Sequence, residues 1–298
     1  MFRLDMNGLF RGLSRLLFFG IIAFASAPSF AVASLIAHYG FEETTLTNGS
    51  TISDTLGNNN GAIEGAGAGS LTSVSSGVFG NALNLGPAGY VDLGTGVQLT
   101  DDFTISFWIQ NLVGTGNEGI LGSANGIANG NSGFILKPQN SGRLFFDSTI
   151  DGNVTTENNL FLDLATDITD LTSVWNFVSI RFDSDPGTVQ FTISGTLADP
   201  LSLAVGDLAT AQNTNPSANS DAFWDPNGFA IGARNGAGLN EASFTIDDLR
   251  FYDTVLTDAE LITVGTTPIP EPSVAIFALI GAIGLIAYKL ARKQTAKS

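Results

Sequence analysis

The chain has no cysteine, a single histidine, and twelve lysine or arginine residues against twenty-eight aspartates and glutamates. Without thiols there is no disulfide framework, thiolate nucleophile or zinc–thiolate centre. The one imidazole, His38, falls inside a predicted strand, where it reads as a satisfied sheet residue rather than the base of a nucleophilic triad. Basic residues are also unevenly placed. Between the two ends only Lys137, Arg143, Arg181, Arg234 and Arg250 face twenty-six acids, a net charge near −21. Such a field repels phosphate backbones and anionic headgroups and concentrates divalent cations, which excludes nucleic acid as a partner.

Long apolar runs occur only near the ends. Arg3, Arg11 and Arg15 precede an uncharged stretch from Leu16 to Ala27, and Ala31-Val32-Ala33 supplies small residues at a cleavage site. This is the order of a secretory signal peptide over residues 1–33, with the mature chain starting at Ser34. At the other end Pro268-Ile269-Pro270-Glu271-Pro272 leads into an apolar segment, 273–288, followed by Lys289, Arg292, Lys293 and Lys297. As a helix that segment reaches roughly 24 Å at ~1.5 Å per residue, enough to span a bilayer with snorkelling lysines and local thinning. The basic cluster favours a cytoplasmic C-terminus, the topology an exported N-terminus requires.

Pro270-Glu271-Pro272, the apolar segment and the basic end together resemble the PEP-CTERM sorting signal of Gram-negative bacteria. The resemblance covers residues 266–298. It implies an exosortase, a membrane-embedded cysteine protease, as the partner that recognises and removes the tail, and a working location at the cell surface or in the extracellular matrix. A plain membrane anchor that is never removed is the alternative.

Between the ends, short alternating runs are separated by Gly, Asn, Asp and Ser clusters, which predicts an all-β sandwich of one domain over residues 34–265. Phe103, Ile105, Phe107 and Ile109 alternate with Thr104, Ser106, Trp108 and Gln110, a strand with an apolar inner face. Asp183-Ser184-Asp185-Pro186-Gly187 joins Trp175–Phe182 to Thr188–Ser194 as a hairpin. Gly133–Pro138 pairs with Arg143–Ser148, and Phe229–Ala233 is a further strand. Near the end, Phe244 and Ile246 are in one phase and Leu249 and Phe251 in the other, so a bulge at Asp247-Asp248 is predicted to keep all four inside and re-aim two carboxylates. Thr257-Asp258-Ala259-Glu260 has capping-box spacing ahead of one closing helix.

Leu35 to Glu42, Phe79 to Leu85, Tyr90 to Leu93, Phe103 to Ile109, Trp175 to Phe182, and Ile246 to Tyr252 with Leu256 to Glu260 resemble the laminin-G-like, concanavalin A-like jelly-roll domains. That resemblance implies two curved antiparallel sheets and ligands among glycans, proteins and calcium. It points to Glu42, Asp54 and Asp247 as calcium ligands. Asp54 precedes Leu56-Gly57-Asn58-Asn59-Asn60-Gly61, a turn rich in the hard oxygens calcium accepts, with solvated surface acids as the alternative.

For ligand binding, the polar stretch 209–228 holds Asn219, Phe223, Trp224 and Asp225, suited to stacking on and hydrogen bonding a sugar, although Phe223-Trp224 equally suits plugging the sandwich edge. Catalysis is disfavoured. No alternating Glu-x-Asp-x-x-Glu run of the kind jelly-roll glucanases use is present, and the adjacent pairs Glu42-Glu43 and Asp247-Asp248 would point to opposite faces of a regular strand. The expectation is an exported, non-enzymatic module that binds exopolysaccharide or another surface partner. A secreted polysaccharide-degrading enzyme and a matrix protein without specific glycan recognition are the rivals.

Overall fold

The computed structural model describes residues 34–269 except 66–70, 75, 100, 114–117, 124–132, 140–142, 150–157, 164–172, 186, 195–196, 198, 214–227 and 235–240. The signal-peptide region 1–33, the tail 270–298, and Asn219, Phe223, Trp224 and Asp225 therefore lie outside the described residues. Among the described residues no helix is long and apolar enough to cross a membrane.

Strands dominate. In chain order they are β1 (Leu35–Tyr39), β2 (Thr51–Ile52), β3 (Gly61–Glu64), β4 (Thr72–Val74), β5 (Ala82–Leu85), β6 (Tyr90–Gly94), β7 (Phe103–Val113), β8 (Leu121–Gly122), β9 (Gly133–Gln139), β10 (Arg143–Thr149), β11 (Asn158–Asp163), β12 (Asn176–Asp183), β13 (Thr188–Ser194), β14 (Leu208–Asn213), β15 (Phe229–Ile231) and β16 (Ser243–Tyr252). Among the described residues one α-helix, α1 (Asp258–Thr266), follows them. The first sheet runs β14-β13-β12-β7-β16-β5-β4, with β1 also pairing β16, and the second runs β11-β10-β9-β8-β15-β6-β3-β2. All the pairings between these strands are antiparallel, so the jelly-roll expectation holds at the level of an all-β, two-sheet sandwich.

The inner faces meet in a phenylalanine-rich core. A row of rings crosses from the second sheet to the first: Phe146 to Phe134 at 5.3 Å, Phe134 to Phe229 at 5.6 Å, Phe229 to Phe251 at 5.7 Å and Phe251 to Tyr39 at 6.3 Å. All five are essentially inaccessible. Each such ring contributes roughly 2–3 kcal/mol on burial, so a protein without disulfides has an ample source of stability here.

The first sheet departs from simple alternation. Phe103, Ile105, Phe107 and Ile109 face the core as predicted, but Thr104, Ser106 and Trp108 on the other face are equally buried. The cause is α1. Thr257 caps it, accepting from Glu260 N while the Glu260 carboxylate accepts from Thr257 N, the predicted capping box. At its start Arg181 donates to Asp258 Oδ1 at 2.7 Å, and at its end Trp108 Nε1 donates to the Gly265 carbonyl at 3.2 Å. Any Cβ at Gly265 would stand 2.8 Å from Leu203 and 3.2 Å from Phe177, so glycine permits this close approach. The helix thus lies along β12 and β7 and covers a second, thinner apolar layer.

β16 has different partners along one edge. Phe244 to Ile246 pair with Leu85 to Leu83 of β5, whereas Leu249 to Tyr252 pair with Tyr39 to Leu35 of β1. The register against β7 shifts between Asp247 and Arg250, and Asp248 sits at φ 53°. The predicted bulge is therefore real, and it lies where the two partner strands part. A left-handed aspartate costs on the order of 1 kcal/mol, a cost the flanking pairings absorb.

Candidate functional site

The parting of β1 and β5 opens a cavity of about 470 Å³ lined by His38, Gly40, Glu42, Thr55, Leu56, Phe79, Gly80, Asp247, Asp248, Pro268 and Ile269. β1 delivers His38 and, just past its end, Glu42. The turn before β5 supplies Phe79 and Gly80, and the bulge supplies the two aspartates.

Asp247 is wholly buried. Its Oδ2 accepts from Phe79 N at 2.9 Å, while Oδ1 has no hydrogen-bond partner among the described residues. Burial pushes its carboxyl up to about 7, offset in part by the Phe79 amide and raised further by the neighbouring Asp248 charge. Asp248 Oδ1 accepts from Arg250 Nε at 2.9 Å and meets His38 Nε2 at 2.9 Å, while its buried Oδ2 is also unpartnered among the described residues. Glu42 is exposed and lies across Gly80, with its carboxylate accepting from Asn81 N at 3.1 and 3.3 Å. The same turn, Gly77 to Asn81, therefore holds both Glu42 and Asp247.

Asp54 has another task. Its Oδ1 accepts from His38 N (3.0 Å) and Leu56 N (3.1 Å), and its Oδ2 from Asn58 N (3.3 Å) and Asn59 N (3.1 Å). Four amides occupy the lone pairs a cation would need, and Asp54 does not line the cavity. Of the three residues expected to hold calcium, the structure brings Glu42 and Asp247 to one cavity and places Asp54 beside it, where it fastens the turn to β1. Among the described residues no three His, Asp or Glu side chains converge as a ready cage. The two buried orphan oxygens nevertheless suit a hard cation completed by main-chain oxygens and water, the irregular set calcium accepts.

His38 also meets Thr55 Oγ1 at 2.9 Å through Nδ1, giving a hydroxyl–imidazole–carboxylate chain Thr55–His38–Asp248. The amides beside it are spent: Thr55 N donates to His38 O, Gly57 N to Asp54 O, and Leu56, Asn58 and Asn59 N to the Asp54 carboxylate. Acyl transfer needs free donors where an oxyanion would form, and this turn offers none. Sequence reasoning missed Asp248, Arg250 and Phe79 as parts of one site. The signal was the phase change at Asp247-Asp248, which predicted re-aimed carboxylates but not their target.

A second candidate surface lies on the outer face of the second sheet. Pairing places Glu64 opposite Tyr90, Ala62 and Ala230 opposite Asp92, Gly122 opposite Ile135, and Lys137 opposite Phe145. Tyr90 and Phe145 are half-buried rings, with Lys137 Nζ 5.1 Å from the Phe145 ring centre. Burial and the charges of Asp92, Glu64 and Glu241 raise the Tyr90 hydroxyl, and burial raises Asp92. The middle of this face is covered, with Ala230 and Ile135 inaccessible and the Arg234 main chain against Gly122, so its partly open margins are those at Tyr90 and at Phe145.

A two-sheet antiparallel jelly roll closed by a helix after its last strand defines a lectin-like class of domain. A family model described as the concanavalin A-like lectin/glucanases superfamily, of laminin G type, matches residues 85–262, and the chain belongs to that family. No curated protein matches it in sequence. Among solved structures, domain 4 of an extracellular arabinanase from Geobacillus stearothermophilus, in complex with arabinotriose, is similar with a TM-score of 0.56 at 22% identity, covering 78% of this chain and 98% of that one. The botulinum neurotoxin serotype D ligand-binding domain in complex with N-acetylneuraminic acid gives 0.52 at 17%, covering 78% and 50%. The binding domain of Paraclostridial Mosquitocidal Protein 1 gives 0.51 at 17%, covering 78% and 51%. At these identities the likeness is one of fold, and the chain spans about half of the toxin domains.

Proposed function

We propose that this chain is an exported surface or matrix protein whose jelly-roll domain binds carbohydrate without cleaving it. The observation that carries the reading is the outer face of the second sheet. Half-buried Tyr90 and Phe145 offer ring faces for sugar C–H groups, and Asp92, Glu64 and Lys137 offer hydrogen-bonding groups for hydroxyls. Solved domains of this fold described in complex with arabinotriose and N-acetylneuraminic acid support a glycan as the ligand class. Asn219, Phe223, Trp224 and Asp225, in the polar stretch 209–228, are the other candidate for the sugar contact.

Glu42 and Asp247 hold calcium in this reading. When bound, the ion supplies charge that neutralises the buried carboxylate and ties the turn 77–81 to β16. The signal region 1–33 and the tail 266–298 deliver the domain. Segment 273–288 is the transient membrane anchor, and an exosortase acts at Pro270-Glu271-Pro272. A mass spectrum of protein released from the surface tests delivery, and a product retaining residues beyond Ser273 counts against sorting.

Binding is tested by retention on the host's own exopolysaccharide. Tyr90→Ala and Phe145→Ala should each weaken retention about fivefold or more with little change in melting temperature, since stacking on one ring is worth roughly 1 kcal/mol or more. Retention unaffected by both, but lost in Trp224→Ala, would move the site to the loop. Reducing sugar released from that polysaccharide would overturn the non-catalytic reading.

A further inference from the structure

The cavity is closed on one side by the polypeptide that leaves the domain. Pro268 and Ile269, the last described residues before Pro270-Glu271-Pro272, line it together with Glu42, Asp247 and Asp248. Arg250 joins the two parts. Its Nε donates to Asp248 Oδ1 at 2.9 Å, its Nη2 donates to the Thr267 carbonyl at 2.7 Å, and its guanidinium stands 5.9 Å from the centre of the Phe79 ring. Phe79 N in turn donates to Asp247 Oδ2 at 2.9 Å. A continuous set of contacts therefore runs from the Asp247 carboxylate, whose Oδ1 has no partner among the described residues, through Phe79 and Arg250 to the main chain of Thr267.

We propose that a divalent cation bound at Asp247 and the docking of residues 267–269 stabilise each other, so that the segment feeding the Pro-Glu-Pro motif is held against the domain only in the cation-loaded protein. This deepens the calcium and sorting readings above and rests on both.

The physical basis is charge. Glu42, Asp247 and Asp248 face one cavity, and Arg250 and His38 both contact Asp248; with the three carboxyls ionised and His38 neutral the balance is −2, which a divalent ion cancels. Without the ion, repulsion among three carboxylates works against the turn 77–81 and against the Phe79–Arg250 contact that positions the Thr267 clamp. With it, the turn and the guanidinium are fixed, and Pro268 and Ile269 keep an ordered wall to rest on. Because the coupling is thermodynamic it is reciprocal: whatever loosens the lead-in must weaken the ion by the same factor.

The test uses the full-length protein in detergent micelles, with calcium binding followed by titration calorimetry and the lead-in by amide hydrogen exchange over residues 262–269. Calcium chloride should slow exchange at Thr267 and Ile269 about tenfold relative to chelator. Ile269→Asn lies beyond α1 and outside the core. It should leave the melting temperature in chelator unchanged and weaken calcium affinity by a similar factor. If calcium binds but neither lead-in exchange nor the Ile269→Asn affinity responds, the coupling is overturned and the cation site stands. If no calcium binds, both fail together. The sorting reading fails separately, through an uncut tail on released protein.

Discussion

Replacing Asp247 with asparagine should stabilise the calcium-free protein and abolish its response to calcium. The carboxyl is fully buried and raised from 3.8 to about 7. At about 1.4 kcal/mol per pKa unit, ionising it in the folded state rather than the unfolded costs roughly 4 kcal/mol at pH 8. The sign follows from proton counts. Between pH 3.8 and 7 the folded state binds more protons than the unfolded, so stability falls as pH rises through that window, and the cost shrinks to roughly 1 kcal/mol at pH 4.5.

Asparagine keeps an oxygen for the Phe79 amide and places an NH2 where Oδ1 had no partner, at a penalty of about 1–3 kcal/mol. The net gain at pH 8 is then roughly 2 kcal/mol, or about 4–8 °C for a domain of this size. Thermal unfolding in chelator at pH 8 and 4.5, repeated with calcium at pH 8, checks it. The variant should melt above the parent at pH 8, lose that lead at pH 4.5, and fall behind when calcium is added. A variant less stable than the parent in chelator at pH 8 would refute the claim that burial dominates at this carboxylate.

Two further substitutions separate structure from site. Asp54→Ala strands four amides that now donate to one carboxylate, so it should cost about 3–5 kcal/mol in denaturant unfolding while the calcium-induced rise in melting temperature persists. Gly265→Ala drives a methyl against Leu203 and Phe177, and should lower the denaturant midpoint by an amount equivalent to about 1–3 kcal/mol without changing glycan retention.

Much of the sandwich was legible because its signals are local. Period two in 103–109, turn chemistry at 183–187 and the cap at Thr257 each specify an element without reference to the rest of the chain. The bulge was legible by a conflict of phase, Ile246 against Leu249, that only an inserted residue resolves. What stayed hidden depends on distant partners. Thr104, Ser106 and Trp108 look like a solvent face, and nothing near them in sequence announces that residues 258–266 will cover it. Asp54 precedes a turn rich in oxygens, which suggests side-chain and carbonyl oxygens gathered around it. The structure instead turns that segment's amides inward onto it, a choice of backbone orientation that residue types do not encode. Arg250 reads as an ordinary strand charge until Thr267 is brought beside it.

The last of the described strands, β16, is also an interior strand of the first sheet, flanked by β7 on one edge and by β5 and β1 on the other. A chain delivered N-terminus first, by a ribosome or a translocon, must wait for residues 243–252 before its opening strand has anything to pair with. Until then β1, β5 and β7 are unjoined edges, and their pairings span up to about two hundred residues of sequence, the kind of contact that forms slowly. Assembly of this sheet is therefore tied to the arrival of the chain's last fifth, and a nascent form stopped short of Ser243 should behave as an unfolded polypeptide rather than as a smaller sandwich.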